Sequence, residues 1–205
     1  MKEVRFILFI AILCSNVDFI GAQTDKTSAN KENLSSFLSL GTGICPKGAV
    51  AGLACGFISS NGWGGELEFK ISPFRAEKLP DDFSEGNSNL ITPRDLVNVF
   101  SLKIIKDFQT SSQKFKIGID VGPCFVQYSF VNFRLNPEYP SEFKAENKYL
   151  KDRDSKSTAG LSCSAKLKYL TGFGSLQAAL FTDINNVKTV YGLELYISFS
   201  LEKSD

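Results

Sequence analysis

The chain has 205 residues, with 23 Lys and Arg against 22 Asp and Glu, and it contains no histidine. A charge balance this close to neutral, with both signs mixed along the chain, lacks the basic stripe that nucleic-acid binding needs. The missing histidines remove Ser-His and Cys-His nucleophile pairs and the usual zinc-site chemistry.

Met1 to Arg5 is a charged head carrying Lys2 and Arg5, Phe6–Leu13 is a short apolar core, and Ile20-Gly21-Ala22 ends on a small residue. That layout predicts a secretory signal peptide over 1–22, too short to span a bilayer as a helix, with the mature chain starting at Gln23. Cys14 stands where a lipoprotein cysteine would, but Leu13 precedes it instead of a small residue, which favours an ordinary signal residue over lipidation. Gln23–Ser35 is polar and without period, a flexible lead-in. The remainder, 36–205, is long enough for one domain with a full core or barrel.

Strand candidates then follow one another: Ser36–Cys45, Gly48–Ser59, Trp63–Phe74, Leu96–Phe108, Lys114–Phe133, Thr158–Leu170, Gly174–Ile184 and Val187–Leu201. Period-two alternation carries the prediction. In the last segment Tyr191, Leu193, Leu195, Ile197, Phe199 and Leu201 share one face, and Gly192, Glu194, Tyr196, Ser198 and Ser200 share the other. The third, fifth and sixth segments repeat the pattern, and Leu102 and Ile104 flank Lys103 in the fourth. No helical pattern intervenes, so the expectation is all-β: an eight-stranded antiparallel up-and-down transmembrane β-barrel. Of the connections, only 75–95 and 134–157 are long, and both fall on the same rim of such a barrel. Membrane barrels show this asymmetry, with short turns at one end and long loops at the other.

Alternation alone does not say which face is outside. A soluble lipocalin-like barrel would hold its oily face inward around an apolar ligand. Small residues with mixed charge instead suit a narrow lumen, where Glu66, Glu68, Asp120 and Glu194 would pair with Lys70, Lys116, Lys166 and Lys168. Many segments also reach the roughly 9–11 residues that a tilted strand needs to cross hydrocarbon. These two features favour the membrane reading.

Little else suggests chemistry. Glu66 and Glu68 share a face, but an acid–base pair needs separated pKa values and a cleft; a lumen salt-bridge network is the better account. Asp81-Asp82 and Glu85 do not fit a calcium-loop spacing. Gly41-Thr-Gly43 and Gly62-Trp-Gly-Gly65 sit in strand or turn context and fit wall packing better than phosphate binding. Tyr139, Phe143 and Tyr149 in the second long connection either anchor a partner or fold that segment on itself. Trp63, Tyr169 and Tyr191 lie on the oily face near strand ends, as bilayer-interface aromatics do. Cys55 and Cys163 fall on that face as small hydrophobes, and the pairing of Cys45, Cys55, Cys124 and Cys163 stays open.

The signal peptide, the Gly-Trp-Gly-Gly opening of the third strand and the final Gly192-Leu-Glu-Leu-Tyr-Ile-Ser-Phe199 resemble small outer-membrane β-barrel proteins of Gram-negative bacteria. The resemblance covers most of Ser36–Leu201 and is one of pattern, not of a diagnostic motif. It implies outer-membrane lipid as surroundings and the barrel-assembly machinery as a partner that reads the terminal aromatic, here Phe199, past which Ser200–Asp205 extend. The resulting expectation is a non-enzymatic outer-membrane protein with a structural or surface-interaction role, without cofactor or metal, meeting any surface partner through its long loops.

Overall fold

In a computed structural model, which describes residues 34–46, 48–80, 93–137 and 149–201, the strands close into a single barrel. The elements are β1 (Leu34–Cys45), β2 (Gly48–Ser59), β3 (Trp63–Arg75), β4 (Arg94–Gln109), β5 (Phe115–Leu135), β6 (Tyr149–Thr171), β7 (Gly174–Asn185) and β8 (Val190–Ser200). Each pairs antiparallel with its sequence neighbour, and β8 returns to β1 through Phe37↔Ser200 to Ile44↔Leu193. The expected signal peptide, most of the lead-in, Asp81-Asp82, Glu85, Tyr139 and Phe143 lie outside the described residues.

Local chemistry sets the turns. Gly62 adopts φ +84°, a left-handed conformation that an L side chain resists, and its N–H reaches the Ser59 carbonyl at 2.8 Å. Between β7 and β8, the Asn185 side-chain oxygen accepts from the Val187 and Lys188 N–H groups at 2.9 and 2.7 Å. This side-chain turn holds Val187–Thr189 out of the ladder, so β8 starts at Val190 and not at Val187.

The largest departure from the sequence pattern is β6. Thr158–Leu170 is the predicted strand, yet β6 begins at Tyr149 and pairs with β5 through Leu135↔Tyr149. β4 leaves β5 at Leu96↔Ser129 and β7 meets β6 only from Gly160↔Asn185. Phe130–Leu135 with Tyr149–Asp154 therefore forms a two-stranded ribbon rising above the wall, and the second long loop shrinks to the segment at its tip. Of the ribbon's residues only Val131 is buried, and the β6 arm has no buried position, so no oily period marks that arm; Lys151-Asp152-Arg153-Asp154 places charge on both sides.

The oily face is outside. Leu40, Leu102, Ile104, Phe125, Leu167, Leu180, Tyr191 and Leu195 are among many large apolar residues left exposed. Excluding the ribbon, outward strand positions among the described residues carry no carboxylate, and their Lys and Arg residues are confined to the rims: Arg75 and Arg94 at one, Lys106 at the other. From Trp63 to Pro73 the wall runs about 33 Å along the strand, or about 25 Å normal to a bilayer at a tilt of about 40°. Trp63, Phe108, Phe115, Tyr169, Phe173 and Phe199 ring the rim of short turns, all exposed. The soluble alternative, with an oily ligand chamber, does not survive this arrangement.

Candidate functional site

The inward positions fill the lumen in two layers. The middle layer is charged. Asp183, Lys70, Glu68, Lys103, Glu66, Lys166 and Asp120 follow one another as an alternating ladder of acid and base. Its contacts run 2.8 Å from Asp183 to Lys70, 3.4 Å to Glu68, 2.5 Å to Lys103, 3.6 Å to Glu66, 2.7 Å to Lys166 and 2.5 Å to Asp120. The ladder links β3 to β7, half the ring away, and to β6. Its ends are held by hydroxyls: Ser162 donates to Asp183 at 2.6 Å and Ser164 to Asp120 at 2.9 Å.

Tyr196 completes this layer. Its hydroxyl donates to Glu68 at 2.8 Å, and its ring lies against Gly41, where an added Cβ would stand 2.4 Å from the ring. Glycine here leaves room for an inward aromatic in a narrow tube. Below the ladder, toward the short turns, Lys168 pairs with Asp107 at 2.7 Å and Ser39 donates to Ser198 at 2.9 Å.

The upper layer is apolar. Cys45, Val50, Phe74, Val97, Val99, Cys124, Val126, Phe181 and Val190 pack as one buried cluster toward the long-loop rim. The two layers touch where the Lys70 ammonium lies 4.1 Å from the Phe181 ring centroid. Cys124, inside this layer, and Cys163 carry free thiols, while the Cys45 thiol donates to the Gly48 carbonyl at 3.3 Å.

Five of the eight residues singled out by the alternation, Glu66, Glu68, Lys70, Asp120 and Lys166, lie in the ladder. Lys168 belongs to the separate Asp107 pair. Glu194 is buried beside the ladder without an ion pair among the described residues, and its Oε1 has no hydrogen-bond partner. Lys116 stands apart at the short-turn mouth, half-buried and opposite Lys168 in register, with no carboxylate partner among the described residues. Lys103 and Asp183 join the ladder, and Asp107 the separate Lys168 pair, without having been selected, although the alternation of Lys103 already fixes Asp107 on the same side. The apolar layer leaves no signal in the sequence because β4 reads Leu96-Val97-Asn98-Val99-Phe100, oily on both faces.

At the long-loop rim, Asp95 ties the ribbon to the wall. Its carboxylate accepts from the Tyr128 hydroxyl at 2.7 Å, the Val131 N–H at 3.0 Å and the Glu77 N–H at 3.2 Å. Arg134 pairs with Asp152 across the ribbon, and Asn132 donates to Asp154. Phe130 lies between the Lys78 and Lys156 ammoniums, 5.5 and 5.7 Å from its centroid.

Glu66 and Glu68 are 3% and 2% exposed and bound to lysines. No group of three or more Asp, Glu, His or Cys suited to a metal occurs among the described residues.

No family model matches the chain, and no curated protein matches it in sequence. Solved structures do share its fold. A major outer membrane protein from Thermus thermophilus is 14% identical at a TM-score of 0.59, covering 82% of this chain and 100% of its own. The N-terminal β-barrel domain of Pseudomonas aeruginosa OprF is likewise 14% identical, at a TM-score of 0.50, covering 84% of this chain and 100% of its own. These likenesses identify the fold, an eight-stranded antiparallel barrel of the outer-membrane type.

Proposed function

We propose that the protein is an integral outer-membrane β-barrel with a sealed lumen, acting through what it presents above the membrane rather than by catalysis or bulk transport. One observation carries this reading: the ordinary distribution of side chains is reversed. Lys70, Lys103, Glu68 and Asp120 are 1%, 1%, 2% and 0% exposed inside the ring, while Leu102, Ile104 and Leu195 are 56%, 60% and 57% exposed outside it. Water would not support that outer surface, whereas a bilayer does, and a closed ring leaves no unpaired strand edge within the hydrocarbon.

The turns 60–62, 110–114 and 172–173 and both ends of the described chain lie at one rim, which we assign to the periplasm, and the ribbon lies at the other, which faces outward. Eight strands enclose a lumen that side chains fill, and here two layers fill it. The structure-bearing wall is thus separate from the ribbon and loops, the segments best placed to meet a surface partner.

Fractionation of cells, followed by electrophoresis with and without boiling, tests the reading. The protein is expected in the outer-membrane fraction, migrating differently once boiled. Recovery in the soluble fraction with unchanged migration would overturn it.

A further inference from the structure

A groove of about 490 Å³ lies on the outer face of β2 to β5, walled by Phe57, Leu67, Leu102, Ile104 and Val121. Its floor is Gly65, an outward position with no side chain, whose register neighbours are Phe57 on β2 and Ile104 on β4. The Phe57 ring leans over this glycine, 3.2 Å from where a Cβ would stand, and the furrow continues past it along Leu102, Ile104 and Val121. The volume is within the roughly 300–1,000 Å³ of ligand sites.

At the short-turn end of this furrow the next outward residue of β4 is Lys106, paired in register with Trp63. Its ammonium donates to the Asn61 carbonyl at 2.8 Å and lies 4.8 Å from the Trp63 ring centroid, with no carboxylate beside it among the described residues. A lysine ammonium has three N–H donors, so two remain. Apolar walls ending at a cation and a tryptophan fit an amphiphile with an anionic head and a hydrocarbon body.

Resting on the membrane reading above, we propose that this furrow binds one phospholipid of the leaflet at the short-turn rim, its phosphate on Lys106 and one acyl chain along Ile104, Leu102 and Val121. Position favours Lys106 over its neighbours: Lys114 lies in the β4–β5 turn and Lys116 faces the lumen mouth, neither at the end of an apolar furrow.

Native mass spectrometry of the full-length protein, in detergent supplied with phosphatidylglycerol, tests the proposal. The wild type is expected to carry one lipid. Lys106→Gln is expected to weaken that binding about fivefold, the effect of about one interfacial charge. Ile104→Trp, which fills the furrow from the lipid side, is expected to abolish it, and Lys114→Gln to leave it unchanged. Each variant is also run with and without boiling. Loss of heat-modifiable migration in the wild type would sink the membrane reading itself. A heat-modifiable wild type with no bound lipid, or equal binding by all four proteins, would overturn the phospholipid site alone. A lipid-free dimer disrupted by Ile104→Trp would also overturn it, assigning the furrow to a second copy of the chain.

Discussion

The two layers of the lumen close the same tube by opposite chemistry. The ladder from Asp183 to Asp120 closes it with directional contacts between far strands, each requiring its partner. The cluster around Val97, Val99, Val126 and Phe181 closes it by packing, with no fixed partner for any one group. A buried ion pair returns little net stability over an apolar pair of the same shape, yet breaking it leaves a stranded charge. The apolar layer should therefore tolerate change gradually, and the charged layer abruptly. The ladder's contribution is better sought in strand register than in net stabilisation, because Lys70 finds Asp183 only when β3 and β7 stand at one height.

The largest effect is expected from Glu66→Ala with Glu68→Ala. The pair of changes strips both ladder carboxylates from Lys103, leaves Lys70 with Asp183 alone and Lys166 with Asp120 alone, and frees the Tyr196 hydroxyl. A loss of about 3–5 kcal/mol follows from stranding buried charge, read as a lower denaturant midpoint for loss of the heat-modifiable form. Ion conductance in planar bilayers should rise as well. Conductance that stayed at the wild-type level would assign the seal to the apolar layer alone.

Phe181→Ala tests that other layer. Opening a cavity at a buried phenylalanine costs about 3 kcal/mol or somewhat more, and here it also removes the ring against Lys70. The same unfolding midpoint reads it, and a loss larger than that of the double ladder variant would reverse the comparison. Ser162→Ala removes one hydroxyl from Asp183 while the Lys70 pair stays. A hydrogen bond to a charged group supports a loss of about 2 kcal/mol. Additivity with Phe181→Ala would show that the layers act independently; a strong coupling would show that they share Lys70.

Arg134→Ala serves as the outside reference. Its partner Asp152 sits on the solvent-facing ribbon, with side-chain exposures of 74% and 44%. Such a pair is worth less than about 1 kcal/mol, so the unfolding midpoint should hardly move. A large shift would mean that the ribbon is part of the cooperative barrel unit.

Eight strands, their antiparallel order and the unequal rims were legible because a wall between two different media forces period two on almost every segment. Tyr191 to Phe199 shows the pattern plainly, and β8 follows it residue for residue. The members of the ladder on β3, Glu66, Glu68 and Lys70, were legible for the same reason. Beyond them the pattern fails in two physically distinct ways. At Val97 and Val99 of β4 and at Val126 the inner face is as apolar as the outer, so alternation vanishes there although the strands are intact. In the β6 arm of the ribbon, Tyr149–Asp154, no position is buried, so alternation vanishes for the opposite reason.

By itself, then, the sequence determined the strands, their number and which residues share a face, since these follow from the local spacing of side chains along an extended backbone. Only closure of the ring decided that the oily face lies outward, that Lys70 meets Asp183 and Lys166 meets Glu66, and that Lys116 and Glu194 stay outside the ladder. Those contacts cross the lumen between residues a hundred or more positions apart, and their distances depend on the register of every strand between them. No local pattern in the chain carries that information.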